Sequence, residues 1–378
     1  NYIDEVIYFT DDTGVVDSFR TKYDDLWTDE TAYADYANVV RPLTRRYPTT
    51  AKDPELNFPP RESYRNRAVA RYDAETQAID VTMYRITDRA HTDAMVRALQ
   101  RGVPVRLITE PEQYRDRSRY WHSWNVDRLY LAGAQIRHRA HAGLMHQKSV
   151  VLEAQGLTIF GSSNWTSPSS NSQEEHNYFT YKQEFFTFFT DQFERKWTNG
   201  TGHLETVPFH PLPPDRPSNV APLHGAVVPG TSVTLRWNAG IWAHLYDVYF
   251  GTTLDPPLLA SNLELGPSTS ASNDKRLDLT QLAPGATYYW RIVAKTMALQ
   301  TATGPVFSFT TAAAPPPSGA RNLVLYPAHT AVLHGDWRVE ADATAAGGAL
   351  LTNPDAGRTK MAVAAAAPAD YFELAFFT

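Results

Sequence analysis

The chain has 378 residues, a formal net charge of −6, 12 histidines and no cysteine. Its length points to roughly two to four domains, and the missing thiols exclude a disulfide framework, a thiol nucleophile and a Cys-ligated zinc site. The acidic balance provides no electrostatic footprint for nucleic acid, and no run of about 18 apolar residues marks a membrane span.

From the N-terminus, Val6 to Thr10 reads as a strand, and Val15, Val16, Phe19, Tyr23, Leu26 and Trp27 fall at helical spacing. The same order returns later. Glu5, Phe9, Thr10, Phe19, Trp27 and Thr28 recur as Glu175, Phe179, Thr180, Phe189, Trp197 and Thr198, each offset by 170 residues, with Tyr23 matching Phe193. The repeat predicts two strand–helix units about a local two-fold, the second strand covering Asn177 to Tyr181. Between them, Ala78 to Tyr84 is an apolar strand, and Thr87-Asp88 can cap a helix whose Ala94, Met95, Ala98 and Leu99 share one face. Gly102 ends that helix and Val103 to Ile108 returns as a strand, which predicts a right-handed β-α-β unit in a mainly parallel sheet. Arg115, Arg117 and Arg119 alternate, so in an extended segment they would line one face of an anionic groove. A helix from Trp121 to Leu131, ended by Gly133, leads into a strand from Gln135 to Arg139. The irregular spacing of His138, His141 and His146, with no nearby Asp, argues against a metal cluster.

Lys148 to Leu152 and Leu157 to Phe160 are β-prone apolar runs separated by Ala154-Gln155-Gly156. A three-residue loop ending in Gly is a favoured hairpin connection. Centred on Gln155, the hairpin pairs Lys148 with Ser162 and His146 with Asn164. These four side chains then converge on one face at its open end, while Ser163 faces the other way. A bulge at the glycine would shift this register by one. An imidazole, an ammonium, a hydroxyl and a carboxamide together suit the holding and attack of a phosphate ester.

His146, Lys148, Gly161, Ser162 and Asn164 resemble the H-x-K-x4-D and G-S-x-N marks of the phospholipase D superfamily. The acidic position holds Glu153, whose parity relative to His146 takes it off the catalytic face, so it is read as structural. The resemblance covers about residues 1–205 and implies an α/β phospholipase D-like layered fold, a mainly parallel sheet flanked by helices. It further implies a site shared by two halves, each giving one His-x-Lys, with no metal or other cofactor. One histidine would attack phosphorus to form a phosphohistidine, and the other would protonate the leaving alkoxide and later activate water. The family's nucleophile comes from the first motif, so His146 is implied to be the acid/base. Lys148 and Asn164 would hold the nonbridging oxygens, with Ser162 supporting the lysine or the phosphate. Glu175 matches the family's carboxylate that orients the imidazole, and Ser163 and Glu5 are assigned to substrate binding. The repeat predicts a second His-x-Lys upstream of Glu5, in a first half of which residues 1–46 are the end. The expected reaction is cleavage or transfer of a phospholipid phosphodiester. The alternatives are an endonuclease acting on DNA or RNA, and a degenerate surface-binding protein.

Residues 47–207 form the second half in this reading, and the proline-rich stretch 208–218 is a linker. Residues 219–312 read as all-β sandwich, with strands Val233 to Trp237, Leu245 to Phe250, Tyr288 to Ala294 and Val306 to Thr310. Leu282-Ala283-Pro284 followed by Tyr288 resembles the tyrosine corner of fibronectin type III domains. Trp237 and Trp290 then serve the core in preference to a sugar platform with Trp242. After a second linker, 313–320, Leu323 to Tyr326, Trp337 to Ala341 and Tyr371 to Phe377 read as strands. Residues 321–378 resemble part of a galactose-binding-like sandwich, which would give a carbohydrate surface as partner and a secreted, periplasmic or cell-surface setting.

Overall fold

Apolar alternation before residue 210 builds one layered lobe. The computed structural model describes residues 3–28, 44–266, 274–313, 326, 328, 331–354, 363 and 367–374. The lobe begins with β1 (Ile3–Asp4), α1 (Thr13–Thr28), β2 (Leu56–Asn57), α2 (Tyr64–Ala74) and β3 (Ile79–Met83). It continues through α3 (Arg89–Gln100), β4 (Val105–Thr109), α4 (Pro111–Tyr114), α5 (Tyr120–Leu131), β5 (Gln135–Arg139) and β6 (Leu144–Met145). The hairpin β7 (Lys148–Leu152) and β8 (Leu157–Gly161) is followed by α6 (Ser167–Asn171), β9 (Asn177–Thr180), α7 (Gln183–Thr198) and β10 (Thr206–Pro208).

Among the described residues eight of these strands form one sheet, ordered β10-β5-β4-β3-β7-β8-β9-β2, and β1 and β6 pair separately. Only the β3–β4 and β4–β5 pairs are parallel. The sheet is therefore mixed rather than mainly parallel. A helical crossover such as α3 permits parallel neighbours, whereas the direct β7–β8 turn requires antiparallel ones. Asp88 caps α3 by accepting the Ala90 N–H at 3.0 Å, and Gly102 leaves the helix at φ +83°. On one face of the sheet, Val81, Leu107, Val150 and Ile159 pack against Ala68 and Tyr72 of α2, Ala94 and Met95 of α3, and Val126 of α5. On the other face, Ile108 and Met145 meet Phe193 of α7.

The repeat is visible in the helices. α1 and α7 each span 16 residues and start 170 apart, at Thr13 and Gln183. Asp12, which caps α1 by accepting the Gly14 N–H at 2.9 Å, pairs with its own repeat equivalent, Lys182, at 2.8 Å. Contact between equivalent residues is what a local two-fold produces. The strand half of the repeat is not duplicated. Asn177–Thr180 is hydrogen-bonded to β8 and β2, whereas Val6 to Thr10 has no strand partner and only Ile3–Asp4 pairs, in parallel with β6.

The hairpin is one residue out of the expected register. Leu152 lies opposite Leu157 and Ser149 opposite Phe160, with a four-residue turn from Glu153 to Gly156. Gly156 adopts φ +57° and donates to the Glu153 carbonyl. Glu153 sits exposed in this turn, at the far end of the hairpin from His146.

Residues 209–217 are packed rather than a free tether. Phe209 is buried against Tyr114 and Tyr130, and Arg115 donates to the carbonyls of Leu212 and Pro213. The following strands are β11 (Ser218–Ala221), β12 (Ala226–Val228), β13 (Val233–Asn238), β14 (Leu245–Gly251) and β15 (Leu258–Glu264). They continue as β16 (Asp274–Leu279), β17 (Thr287–Lys295), β18 (Thr301–Thr303) and β19 (Phe307–Thr311). They form two sheets, β11-β13-β16 and β12-β19-β17-β14-β15 with β18 on β17. Trp237, Trp290 and Phe309 fill the core between them, so Trp237 and Trp290 cannot form an exposed platform. The Tyr288 hydroxyl accepts the Ala283 N–H at 2.9 Å. The Arg115 guanidinium lies 4.7 Å from the Tyr114 ring centroid and 4.6 Å from that of Trp242, joining the two lobes.

Residues Asn1–Ala313 form one compact unit and Ala314–Thr378 another. In the second, Val332–His334 pairs with Tyr371–Glu373 and Arg338–Ala341 with Ala349–Thr352. Nearly all of the expected strand Leu323 to Tyr326, and the end of Tyr371 to Phe377, lie outside the described residues.

Two outcomes follow from this packing. A Cβ on Gly161 would stand 2.2 Å from the His176 carbonyl oxygen and 2.7 Å from Asn177 Cα. Gly161→Ala is expected to push β8 from β9 and cost about 1–3 kcal/mol, read as a thermal midpoint several degrees lower. The second concerns Asp127, buried on α5 with the Tyr114 hydroxyl donating to it at 2.6 Å. Burial raises its pKa from 3.8 to about 7, against that hydrogen bond and the Arg115 charge. A carboxyl raised in the folded state contributes stability that is complete below its unfolded pKa and is lost as pH rises through the folded one. Asp127→Asn is therefore expected to gain on the parent chain by up to roughly 1.4 kcal/mol per pH unit as pH climbs from about 4 to about 7. Comparing the two proteins cancels the buried histidines, and a constant difference in thermal midpoint across that range would refute the assignment.

Candidate active site

Met83 lies opposite Lys148 at the ends of β3 and β7. This pairing delivers Tyr84 and Arg85, the next residues of the chain, to the open end of the β7–β8 hairpin. His146 Nδ1 lies 2.5 Å from Glu5 Oε1. A carboxylate can only accept, so Nδ1 carries a proton, and in the neutral ring Nε2 keeps its lone pair. The Tyr84 ring packs edge-on against the imidazole, with centroids 4.7 Å apart, and Lys148 Nζ stands 5.4 Å from the centre of the same ring. Lys148 also donates to the His146 carbonyl.

Glu5 reaches His146 because its neighbours are fixed. Ile3 and Asp4 pair with Leu144 and Met145, and the His146 N–H donates to the Asp4 carbonyl at 3.0 Å. Asp4 Oδ2 holds the Lys196 ammonium at 2.5 Å, and that ammonium also donates to Gln147 Oε1 at 2.8 Å. Lys196 is only 2% exposed. Its pKa is lowered by burial, against the charge and hydrogen bond of Asp4.

Burial brings the Lys148 pKa from 10.5 down to about 8; Glu5 and Glu175 oppose this and Arg85 adds to it. His146, Lys148, Ser162 and His176 line a cavity of about 870 Å³ whose other wall is mostly apolar, including Phe9, Val16, Phe19, Tyr23, Phe160 and Phe189, with Arg20 and Arg46 also lining it. Burial also lowers the pKa of His176, against the charge of Glu175.

The structure redistributes several expected residues. Glu175 does not orient the imidazole. It accepts from Ser162 Oγ at 2.5 Å and from Ser169 Oγ at 2.9 Å, while its repeat equivalent Glu5, assigned to substrate binding, holds the ring. Ser163 is fully buried and accepts from Asn177 Nδ2 at 2.8 Å, so it is not available to substrate. Asn164 leaves the hairpin face, because the strand ends at Gly161. Its Oδ1 accepts the Arg85 N–H at 3.2 Å, and it lines a second pocket with Glu175, Arg85 and Arg119. Arg115, Arg117 and Arg119 do not share an extended face. The chain turns after α4, which sends Arg115 to the second lobe and Arg119 to this pocket.

Tyr84, Arg85 and His176 escaped sequence reasoning. Tyr84 and Arg85 follow the carboxyl end of a strand with a parallel neighbour, which is where α/β sheets place ligands, and that rule was the signal available. Among the described residues no group of three His, Asp or Glu side chains is arranged to hold a metal ion. His138 instead packs between Tyr114 and Phe209, where burial lowers its pKa to about 4. No helix among the described residues is long and apolar enough to cross a membrane.

The sequence family described as "Cardiolipin synthase, PLD-like domain" matches residues 72–197. The mitochondrial cardiolipin hydrolase of Homo sapiens is 28% identical over 140 residues, which are 37% of this chain and 53% of the relative. The Canis lupus familiaris protein of the same name is 33% identical over 98 residues, 26% of this chain and 36% of the relative. The chain thus spans about half, or less, of the length of these curated relatives. Among solved structures, Nuc, a phospholipase D family member from Salmonella typhimurium, aligns with 41% of this chain and 96% of its own at 17% identity and a TM-score of 0.36. An Fn3-like protein from Clostridium thermocellum aligns with 28% of this chain and all of its own at 21% identity and a TM-score of 0.21. Residues 72–197 of this chain are a phospholipase D-like domain.

Proposed function

We propose that the chain carries one His-x-Lys half-site of a phosphodiesterase that cleaves, or transfers, a phospholipid phosphodiester. The observation that carries this reading is the Glu5–His146 pair beside the Lys148 ammonium, set in a cavity with an apolar wall. With Nδ1–H bound to Glu5, His146 Nε2 is the atom free to work. It would act as acid/base, protonating the leaving alkoxide and then drawing a proton from water. Lys148 would hold a nonbridging phosphoryl oxygen and oppose the charge that builds there. A second His-x-Lys, from another segment or another copy, would supply the nucleophile that forms the phosphohistidine. The apolar wall would take the acyl portion of the lipid, and no metal enters the reaction. The relatives named as cardiolipin hydrolases agree with this substrate class. For the second lobe we infer a fibronectin type III-like domain, on the Tyr288 hydroxyl bond to Ala283 and the buried Trp237.

Hydrolysis of bis(p-nitrophenyl) phosphate and of phospholipid vesicles tests the reading. The chain alone is expected to be weakly active, and addition of a second His-x-Lys half to raise the rate. His146→Ala should lower that rate by about a thousandfold or more, as loss of a nucleophile or base does in other covalent hydrolases. EDTA should leave it unchanged. Activity that survives His146→Ala, or that EDTA abolishes and a divalent cation restores, would sink the mechanism. Preference for DNA over lipid would replace the substrate.

The pH profile gives a separate check. Lys148 is an ammonium below its pKa of about 8 and neutral above it, so kcat/KM is expected to fall as pH rises through about 8. Lys148→Arg, whose charge persists to high pH, should keep residual activity without that alkaline limb.

A further inference from the structure

Tyr84 and Arg85 reach the site from the loop after β3, and a loop side chain keeps its place only if something holds it. One amide holds both. Arg85 Nε donates to Gln113 Oε1 at 2.8 Å, and Gln113 Nε2 donates to the Tyr84 hydroxyl at 3.1 Å. This pairing fixes which way the amide points. A guanidinium can only donate, so the atom facing it is the carbonyl oxygen. Gln113 is 6% exposed, which shields both bonds from exchange with water.

Gln113 is itself anchored. It belongs to α4, whose cap residue Glu110 accepts from Arg139 Nε and Nη2, each at 2.8 Å, and from the Met145 N–H at 2.8 Å. Met145 immediately precedes His146. The residue after Gln113, Tyr114, donates its hydroxyl to Asp127 at 2.6 Å, and Arg115 packs on Trp242 of the second lobe. α4 is thereby tied on one side to the chain entering His146 and on the other to the packing between the lobes. The backbone at Arg85 is pinned as well. Its N–H donates to Asn164 Oδ1 at 3.2 Å, and its carbonyl accepts the Trp165 N–H at 3.0 Å. With the backbone fixed on both sides, the amide between them sets where the Tyr84 ring and the Arg85 guanidinium stand.

Those two side chains act on the His146–Lys148 pair. The Tyr84 ring packs edge-on against the imidazole, and the Lys148 ammonium stands 5.4 Å from its centre. Around Lys148, burial and the Arg85 charge lower the proton affinity, and Glu5 and Glu175 raise it. His146, on the same strand, accepts from the ammonium through its carbonyl. We infer that Gln113 is a positioning residue of this site: its two hydrogen bonds keep the Tyr84 ring against His146 and Lys148 and hold the Arg85 charge beside them. The inference rests on the phosphodiesterase reading of the site and adds to it a residue that does not line the cavity. An amide that merely knitted α4 to the end of β3 would leave the chemistry of Lys148 unmoved when lost.

Titration of Lys148 in the chain alone, read without turnover, tests the assignment. Lysines labelled with carbon-13 are followed by NMR across the alkaline range, and the Lys148 signal is identified by its loss in Lys148→Arg. Gln113→Leu keeps the bulk and neither bond. Arg85 is then released and water gains access beneath Tyr84, and both changes favour the charged amine. The Lys148 midpoint is expected to rise by about half a pH unit or more above that of the parent chain. Gln113→Glu still accepts from Arg85 Nε, accepts the Tyr84 hydroxyl in its second bond and sets a negative charge against the guanidinium. The midpoint should rise there too, with the geometry kept. When a second His-x-Lys half is added, kcat/KM at neutral pH should fall about 10–100-fold in Gln113→Leu, the loss typical when a residue that orients a working side chain is removed. Gln113→Glu should retain most of the parent rate. An unmoved midpoint in either variant, a parent-like rate in Gln113→Leu, or equal losses in the two variants overturns the assignment. If Gln113→Leu does not fold, the midpoint in Gln113→Glu decides. Failure of the phosphodiesterase reading shows itself separately, as absent hydrolysis with the midpoint shifts intact.

Discussion

A buried ammonium holds the site in register. Lys196 on α7 is sealed from solvent and shared between Asp4 and Gln147. Gln147 sits between the two residues of the His-x-Lys pair, and Asp4 immediately precedes Glu5. One cation therefore fixes both partners of the Glu5–His146 bond. Removing one member of such a buried pair leaves an uncompensated charge, which typically costs about 3–5 kcal/mol. Sequence-distant segments, the first residues and the β7–β8 hairpin, are thereby held at one level, and a slip of one residue between them would turn Glu5 away from the ring.

Lys148 works at the edge of its own stability as a cation. Burial favours the neutral amine, and the carboxylates of Glu5 and Glu175 only partly offset this. In the proposed reaction a phosphate arriving in the cavity would bring the missing negative charge, and its binding would strengthen the protonation on which that binding depends. The aromatic ring of Tyr84 contributes by covering the ammonium on one side without offering a competing anion.

The helices of the first lobe were legible because a 3.6-residue period survives any tertiary context; α1, α3, α5 and α7 lie where their apolar residues place them. The hairpin was legible as an element but not in register. A three-residue loop ending in Gly156 and a four-residue turn including Glu153 satisfy the same sequence, and the difference moves every cross-strand pair by one. Likewise the 170-residue repeat shows that Glu5 and Glu175 are equivalent without showing which ring each one meets. That depends on chain crossing: the first copy's carboxylate serves the second copy's histidine. Val6 to Thr10 carries strand-forming residues, yet a strand needs a partner edge, and only its equivalent Asn177–Thr180 has one on both sides. Arg85 and Arg119 come together through the β3–β7 pairing and the turn after α4, neither of which leaves a local mark in the sequence.

The stack of Tyr114, Arg115 and Trp242 changes what the proline-rich stretch is. Arg115 is clamped between an aromatic ring of each lobe, and the intervening segment lends its carbonyls to the same guanidinium. Gly240 lies so near the Asp215 carbonyl that a side chain there would collide with it. Two lobes fastened in this way share their unfolding cooperativity. Heating would take them apart in one transition, and a protease would find no cleavable hinge between them until both had begun to melt.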